Sequence, residues 1–213
     1  MHKDQAYFTT RFTHDRRRDT LWQSLVQHYF SRLISSSDTV LELGAGYGHF
    51  INHVRAERRI SLDAWEGYVS YLQPGIESHV GNVNDLSFLT PASIDFAFAS
   101  NLFEHISQGD LALVLRQLKT ALRSSGTLNI LQPNYYYAYR EYFDDYTHRT
   151  VYSHTGLCDF LEANGYRVLE CRPRFLPLTV KSRLPVSSLL IRLYLLSPWK
   201  VMGKQMFVRA QPA

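Results

Sequence analysis

The stretch Val40-Leu41-Glu42-Leu43-Gly44-Ala45-Gly46-Tyr47-Gly48-His49-Phe50 constrains this chain more than any other. A short apolar run bounded by glycine reads as a buried strand. Glycine at alternate positions lets the backbone turn sharply and approach a ligand with no Cβ in the way. Phe50, Ile51 and Val54 follow at helical spacing. The segment therefore predicts strand, glycine turn, helix, the opening of a nucleotide-type site in an open α/β sheet. Its spacing is G-x-G-x-G, not the G-x-G-x-x-G of dinucleotide binders. Without a ligand the same residues would make only a tight strand-to-helix corner.

The segments that follow fit such a sheet. Arg59 to Asp63 predicts the second strand, and Asp63 lies 19 residues after Gly44. That is close to the offset at which Rossmann-type folds place an acid on the ribose hydroxyls, about 20 residues on. A carboxylate accepts two hydrogen bonds from a vicinal diol. Glu66 competes for this role, and Trp65 either flanks an adenine or packs in the core. Ser93 to Ser100 predicts the fourth strand. Leu111, Leu115, Leu118 and Leu122 predict a helix ended by Ser124-Ser125-Gly126, and Thr127 to Leu131 the fifth strand. Thr155 to Asn164 predicts a helix stopped by Gly165, Tyr166 to Cys171 the sixth strand and Gln205 to Ala210 the seventh. A chain of 213 residues suits one such domain.

Three stretches carry a family resemblance. Glu42 with Gly44, Gly46 and Gly48 makes E-x-G-x-G-x-G, which resembles the first motif of the Rossmann-like methyltransferases that use S-adenosylmethionine (SAM). His79-Val80-Gly81-Asn82-Val83-Asn84-Asp85-Leu86 is similar to their third motif, with Asn82 in place of an aspartate and Val83 in place of an alanine. Ser93-Ile94-Asp95 through Ser100-Asn101-Leu102-Phe103-Glu104-His105 resembles the fourth motif of the type 11 members.

The resemblance implies a three-layer α/β fold with a sheet of about seven strands, the last antiparallel, and SAM as cofactor. It implies that Gly44, Ala45, Gly46 and Gly48 pass beneath the methionine part, with Glu42 nearby. Asn82 would meet the adenine amino group and Val83 the ring, with Asp85 as a substitute for Asn82. An asparagine oxygen can still accept from an amino group. Ser100 and Asn101 would face the methionine end, and His105 the transferred methyl, as a proton-transfer group or a structural one.

Residues 134–150 are crowded with aromatics: Tyr135, Tyr136, Tyr137, Tyr139, Tyr142, Phe143 and Tyr146 surround Asp144, Asp145, Thr147, His148 and Arg149. Tyrosine faces with a hydroxyl at the rim suit a sugar or aromatic acceptor, so this stretch predicts a substrate cap. Asp145 and His148, three apart, share a face if the turn is helical and would form a general-base pair. Two other readings stay open: Asp144, Asp145 and His148 around a divalent cation, or a packed lid with its polar groups on backbone donors. No metal is assigned.

Two further segments flank the domain. Leu21, Trp22, Leu25, Val26, Tyr29, Phe30 and Leu33 recur at helical spacing after Arg16-Arg17-Arg18, so residues 1–37 predict a helical cover. Three arginines are too few for a nucleic-acid patch, and basic residues elsewhere are scattered; no nucleic-acid partner is expected. Residues 172–204 predict an insert with an apolar run, Leu184 to Leu196, edged by Arg192, Trp199 and Lys200. It is too short to span a bilayer. Either it packs on the domain or in a dimer seam, or residues 184–200 rest on an anionic membrane.

The two cysteines are too few for a disulfide framework, and Met1-His2-Lys3-Asp4-Gln5 starts no signal sequence, so a cytoplasmic protein is expected, reaching at most the inner face of a membrane. The net charge of +4 permits an anionic partner without requiring one. The layout, with Pro133-Asn134 and the D-D-Y-T-H-R segment, resembles small bacterial methyltransferases of surface-polysaccharide assembly. That implies methyl transfer to a small-molecule or glycan hydroxyl, a sugar or lipid-linked saccharide first. An aromatic-metabolite methyltransferase and a noncatalytic SAM-binding partner protein are the alternatives. Oligomeric state is not encoded in any motif.

Overall fold

Side chains alternate across the strands of a central sheet, and this alternation sorts the protein into three layers. The computed structural model describes residues 15–177 and 187–213, and of Arg16 the backbone alone. Residues 1–14 of the expected N-terminal cover lie outside the described residues, as do insert residues 178–186 with Lys181, Arg183 and Leu184.

In chain order the elements are α1 (Arg16–His28), β1 (Thr39–Leu43), β2 (Arg58–Asp63), β3 (Ile76–Val80), β4 (Ile94–Ser100), α2 (Gln108–Ala121), β5 (Leu122–Pro133), α3 (Tyr135–Ala138), α4 (His154–Ala163), β6 (Tyr166–Pro177), α5 (Ser188–Leu196) and β7 (Gly203–Pro212). One sheet holds the seven strands in the order β3-β2-β1-β4-β5-β7-β6. Strands β1 to β5 are parallel, and β7 runs antiparallel to β5 and β6. This is the expected Rossmann-like layout. The chain steps outward from β1 to β3 and returns to β4 on the other side of β1. The carboxyl ends of β1 and β4 thus form the switch point at which such sheets hold ligands.

Period-two alternation builds two cores. Val40, Phe96, Phe98, Leu131 and Phe207 face one side and pack against Leu25, Val26 and Phe30, with Phe50, Ile51 and Val54 from beyond the glycine turn. Leu41, Leu43, Ala97, Ala99, Leu128, Ile130 and Val208 face the other side, beneath Leu111, Val114, Leu115 and Leu118 of α2 and Leu157 and Leu161 of α4. The Phe50 and Phe98 rings lie 4.1 Å apart and Phe30 and Phe98 5.1 Å apart. Truncating one such buried ring to alanine costs about 3–5 kcal/mol. The hydroxyls of Ser107 and Ser153 accept from the N–H groups of Asp110 and Gly156, which fixes where α2 and α4 begin.

Three local expectations are corrected. The helix expected after the glycine turn is one 3-10 turn, Ile51–His53. Val54 is already extended and β2 starts at Arg58, so no room remains for a helix. The spacing of Phe50, Ile51 and Val54 reflects their shared burial. Ser124-Ser125-Gly126 does not stop a helix: α2 ends at Ala121 and β5 begins at Leu122. Register jumps from Ile94 opposite Leu122 to Phe96 opposite Thr127, so the intervening residues bulge. A Cβ on Gly126 would lie 2.6 Å from the Ile94 carbonyl oxygen, which is why the bulge carries glycine. Finally, β6 runs to Pro177 and β7 starts at Gly203, so both ends of the expected insert belong to the sheet.

The described part of the insert forms α5. Ile191, Tyr194 and Leu195 pack on the core that includes Leu25 and Phe30, and Ser188 Oγ lies 3.0 Å from His28 Nε2. Lys200 Nζ donates to the carbonyls of Tyr194 and Leu195 and closes the helix end. Leu189, Leu190, Leu193, Leu196 and Trp199 stay exposed on the outer side. No described helix is long and apolar enough to cross a membrane.

Candidate functional site

The turn that closes β1 is held open by backbone geometry. Gly44, Gly46 and Gly48 have φ of +69°, +54° and +66°, values that residues with a Cβ rarely adopt. The N–H groups of Gly44 and Ala45 both donate to the Leu62 carbonyl, and Gly48 N–H donates to the Ala45 carbonyl. Glu42 is buried beneath this turn and accepts from the Ile51 N–H at 3.1 Å. Burial dominates its titration and drives its carboxyl well above the usual range.

Asp63, at the tip of β2, accepts from the Gly46 N–H at 2.7 Å with one oxygen and from the Trp65 N–H at 2.8 Å with the other. A carboxylate oxygen has two lone pairs, so accepting one N–H does not by itself bar it from a diol. Glu66, the competitor for this role, is exposed at the start of a 3-10 segment. Trp65 packs edge-on to Tyr47 at 5.3 Å and lies 5.7 Å from Tyr71. Beyond β3, Asn82 is exposed and its side-chain oxygen accepts from the Asn84 N–H, while Val83 is buried. Asp85 is exposed and caps Ser87.

Across the switch point, Ser100 ends β4. Asn101 takes φ +49°, donates its N–H to the Leu131 carbonyl and accepts from Gln205 Nε2 at 2.8 Å. Leu102 leans over the glycine turn, and a Cβ on Gly44 would sit 3.0 Å from its Cδ1. The set of left-handed glycines, a carboxylate fixed beside them and polar strand tips around them fits the three parts of SAM: amino acid, ribose and base.

A second cluster lies beyond Leu102, on the 3-10 turn Phe103–His105 and the segment after α3. The Glu104 carbonyl accepts from the N–H groups of Arg149 and Thr150 at 2.7 and 3.1 Å, which ties the two segments together. Asp145 Oδ1 accepts from Thr147 Oγ1 at 2.5 Å, and Thr147 Oγ1 lies 2.9 Å from His105 Nδ1. The rings of His105 and His148 are 4.9 Å apart, and His148 Nε2 is 4.0 Å from Glu104 Oε1. Asp145 and His148 do not share a helical face, since Asp145 is extended. They meet at this cluster through a turn in which His148 N–H donates to the Asp145 carbonyl. Asp144, by contrast, is exposed.

Charges in the cluster are displaced in opposite directions. Burial pushes Glu104 up to about 8. Burial, aided by His148, pushes His105 down to about 4, so its imidazole is neutral at neutral pH. Burial opposes the Asp145 charge, but the hydroxyl and N–H of Thr147 outweigh it and hold the carboxyl below its usual range. An ionised carboxylate only accepts, so the Thr147 hydroxyl donates to Asp145 and accepts from His105 Nδ1–H. That network assigns the tautomer and makes Nε2 the lone-pair atom of His105.

Aromatics flank the cluster. Tyr136, Tyr139, Phe143 and Tyr146 are exposed, whereas Tyr142 is buried with its ring 4.6 Å from that of His148. Asn134 is buried and anchors this segment, donating to the Pro173 carbonyl and accepting from the N–H groups of Tyr136 and His154. A separate open groove of about 1030 Å³, lined by Gln23, Gln27, Asn52 and Arg59 among others, contains none of these residues.

Sequence reasoning missed Glu104 and Thr147 as members of the cluster. Both lie inside quoted motifs, and the apolar neighbours Phe103 and Ile106 were the available sign that Glu104 is buried. Gln132, buried at the end of β5 with no hydrogen-bond partner for its amide among the described residues, carried no sequence signal.

Comparisons place the fold among known proteins. A family model described as "Methyltransferase domain" matches residues 12–171. No curated protein matches the sequence. Among solved structures, a chain from the complex of the Haloferax volcanii Trm112 methyltransferase activator with a protein described as a methyltransferase is similar over 100% of this chain and 98% of its own, at TM-score 0.72 and 16% identity. A SAM-dependent methyltransferase from Archaeoglobus fulgidus matches at TM-score 0.66 and 18% identity, over 91% of this chain and 94% of its own. One from Thermotoga maritima matches at TM-score 0.68 and 16% identity, over 98% and 94%.

Proposed function

The chain belongs to the methyltransferase-domain family, with SAM as cofactor, and from that premise we propose that it methylates a hydroxyl of a saccharide or lipid-linked saccharide. The observation that carries the acceptor class is the row of exposed aromatics, Tyr136, Tyr139, Phe143 and Tyr146, beside a buried polar cluster. Flat apolar faces with hydroxyl rims suit sugar rings.

SAM supplies a methyl group made electrophilic by its sulfonium sulfur. In this reading Gly44, Ala45, Gly46 and Gly48, with Glu42 beneath them, receive the amino-acid part, Asp63 the ribose diol, and Asn82 and Val83 the adenine. Ser100 and Asn101 border the methionine end. His105, Asp145 and His148 receive the acceptor hydroxyl. His105 Nε2 takes its proton as the new oxygen–carbon bond forms and the carbon–sulfur bond breaks, and the Thr147–Asp145 pair fixes the ring. Residues 134–150 act as the acceptor cap and exclude water. Residues 15–37, the described part of the expected N-terminal cover, act as a cover of the same single domain.

The exposed leucines of α5 with Trp199 support peripheral contact with a membrane, where a lipid-linked acceptor resides. A second reading has its own support. The Haloferax volcanii neighbour is bound to an activator protein, and the same apolar surface would seat such a partner. Labelled methyl transfer from SAM to lipid-linked sugars, nucleotide sugars, aromatic metabolites and tRNA separates the acceptors. Transfer to a saccharide is expected; transfer to tRNA or aromatic metabolites alone overturns the glycan assignment.

A further inference from the structure

We infer that Glu104, His105 and His148 form a binding site for one divalent first-row transition-metal ion, placed where the acceptor hydroxyl arrives. The placement rests on the methyl-transfer reading above; the ion site stands on its own geometry.

One ligand-type atom from each of the three residues lies within 4.8 Å of the other two. An ion with ligands at about 2.0–2.2 Å sets neighbouring ligand atoms about 3–4 Å apart, so closure takes side-chain movements of about 1 Å. His148 Nε2 and Glu104 Oε1, at 4.0 Å, already meet that spacing.

The second observation is independent. Glu104 is fully buried, and neither carboxylate oxygen has a hydrogen-bond partner in another described residue. In its charged form a buried carboxylate with no hydrogen bond from another residue is costly unless a cation faces it. No lysine or arginine pairs with it among the described ion pairs; the group facing it is His148.

The surroundings have the form of a ligand shell. Glu104 and His105 are adjacent on one short turn, and the two bonds to the Glu104 carbonyl bring His148 alongside. His105 Nδ1 is oriented by Thr147, which is oriented by Asp145, as outer groups orient metal-bound imidazoles. Two imidazoles and one carboxylate suit manganese, iron, cobalt, nickel or zinc, whereas magnesium and calcium favour oxygen-only sets. Three protein ligands leave positions open for an acceptor oxygen. With the ion in place, His105 and His148 are ligands rather than free bases. An acceptor hydroxyl held on the ion would be acidified there. Its proton would leave on a water held at another open position of the ion, inside the cap that excludes bulk solvent, as the oxygen–carbon bond forms and the carbon–sulfur bond breaks.

The test uses the full chain, stripped with a chelator and titrated with Co²⁺, Mn²⁺ and Zn²⁺ by calorimetry, with the visible spectrum of Co²⁺ as a second readout. One equivalent with a d–d spectrum is expected. Glu104→Gln and His148→Gln should each weaken binding at least tenfold while SAM affinity stays within about twofold. Circular dichroism checks that both variants fold. No stoichiometric uptake by the wild-type protein overturns the site, as does uptake unchanged in both variants. SAM affinity is read separately. Ion binding without SAM binding upholds the site and sinks the methyl-transfer reading; SAM binding without ion binding does the reverse and leaves His105 as the base.

Discussion

Asp63 and Gly46 are joined by a 2.7 Å hydrogen bond from the Gly46 N–H to Asp63 Oδ2, which ties the tip of β2 to the turn that closes β1. The carboxylate holds the turn, and in the proposed cofactor reading it also meets the ribose. Asp63→Ala should weaken SAM binding at least tenfold by calorimetry, about 1.4 kcal/mol or more. Asp63→Asn keeps one acceptor oxygen and should fall between the variant and the wild type. Equal affinity in all three would remove Asp63 from the cofactor site.

The glycine turn makes a prediction about stability that separates crowding from backbone strain. A Cβ on Gly48 would lie 2.8 Å from Leu72 Cδ2 and 3.0 Å from Asn52 Nδ2. Asn52 cannot easily yield, because its amide bonds the Tyr71 carbonyl and the Gln73 N–H. Gly75 has an even more positive φ, +81°, but its Cβ would meet only an arginine tip at 3.6 Å. Gly75→Ala should cost about 1–2 kcal/mol from strain, and Gly48→Ala clearly more. Urea denaturation of both variants measures the difference.

The strands and the glycine turn were legible because each leaves a local pattern of apolar runs, alternation and glycine spacing, whereas the sheet layout with its antiparallel last strand came from the family resemblance. What was not legible depended on distant residues. Phe50, Ile51 and Val54 have helical spacing but are spaced by a common core, and only the short gap to Arg58 forbids a helix. Gly126 looked like a helix stop because its reason for being glycine, the Ile94 carbonyl, sits on another strand. At the site, Asp145, His148 and His105 were named from composition and motif. Glu104 joins them through backbone bonds from Arg149 and Thr150, which no periodicity encodes.

Glu42 makes a prediction about pH. Burial raises its carboxyl above the ordinary value of 4.5, so the folded chain holds a proton that the unfolded chain has released. Folded protein then binds more protons than unfolded, and this contribution to stability is lost as pH rises above about 4.5 toward the folded value. Glu42→Gln keeps an acceptor for the Ile51 N–H without the titration. Stability of the SAM-free variant should decline less between pH 5 and 8 than that of the wild type, in urea denaturation at several pH values. A parallel decline would mean that Glu42 is ionised in the folded state.

The outer face of α5 tests the membrane proposal. Leu193 and Leu196 are 54% and 60% exposed and Trp199 79%, while Ile191 and Leu195 on the inner side anchor the helix to the domain. Charge placed on the outer side should therefore leave the fold intact and remove surface binding. Wild-type protein should co-sediment with vesicles containing anionic lipid and less with neutral ones, since Arg192 lies on the same helix. Leu193→Glu with Trp199→Glu should abolish sedimentation without changing melting temperature or SAM affinity. If the wild type ignores both kinds of vesicle, the apolar face belongs to a protein partner, and cross-linking with a candidate activator becomes the measurement to make.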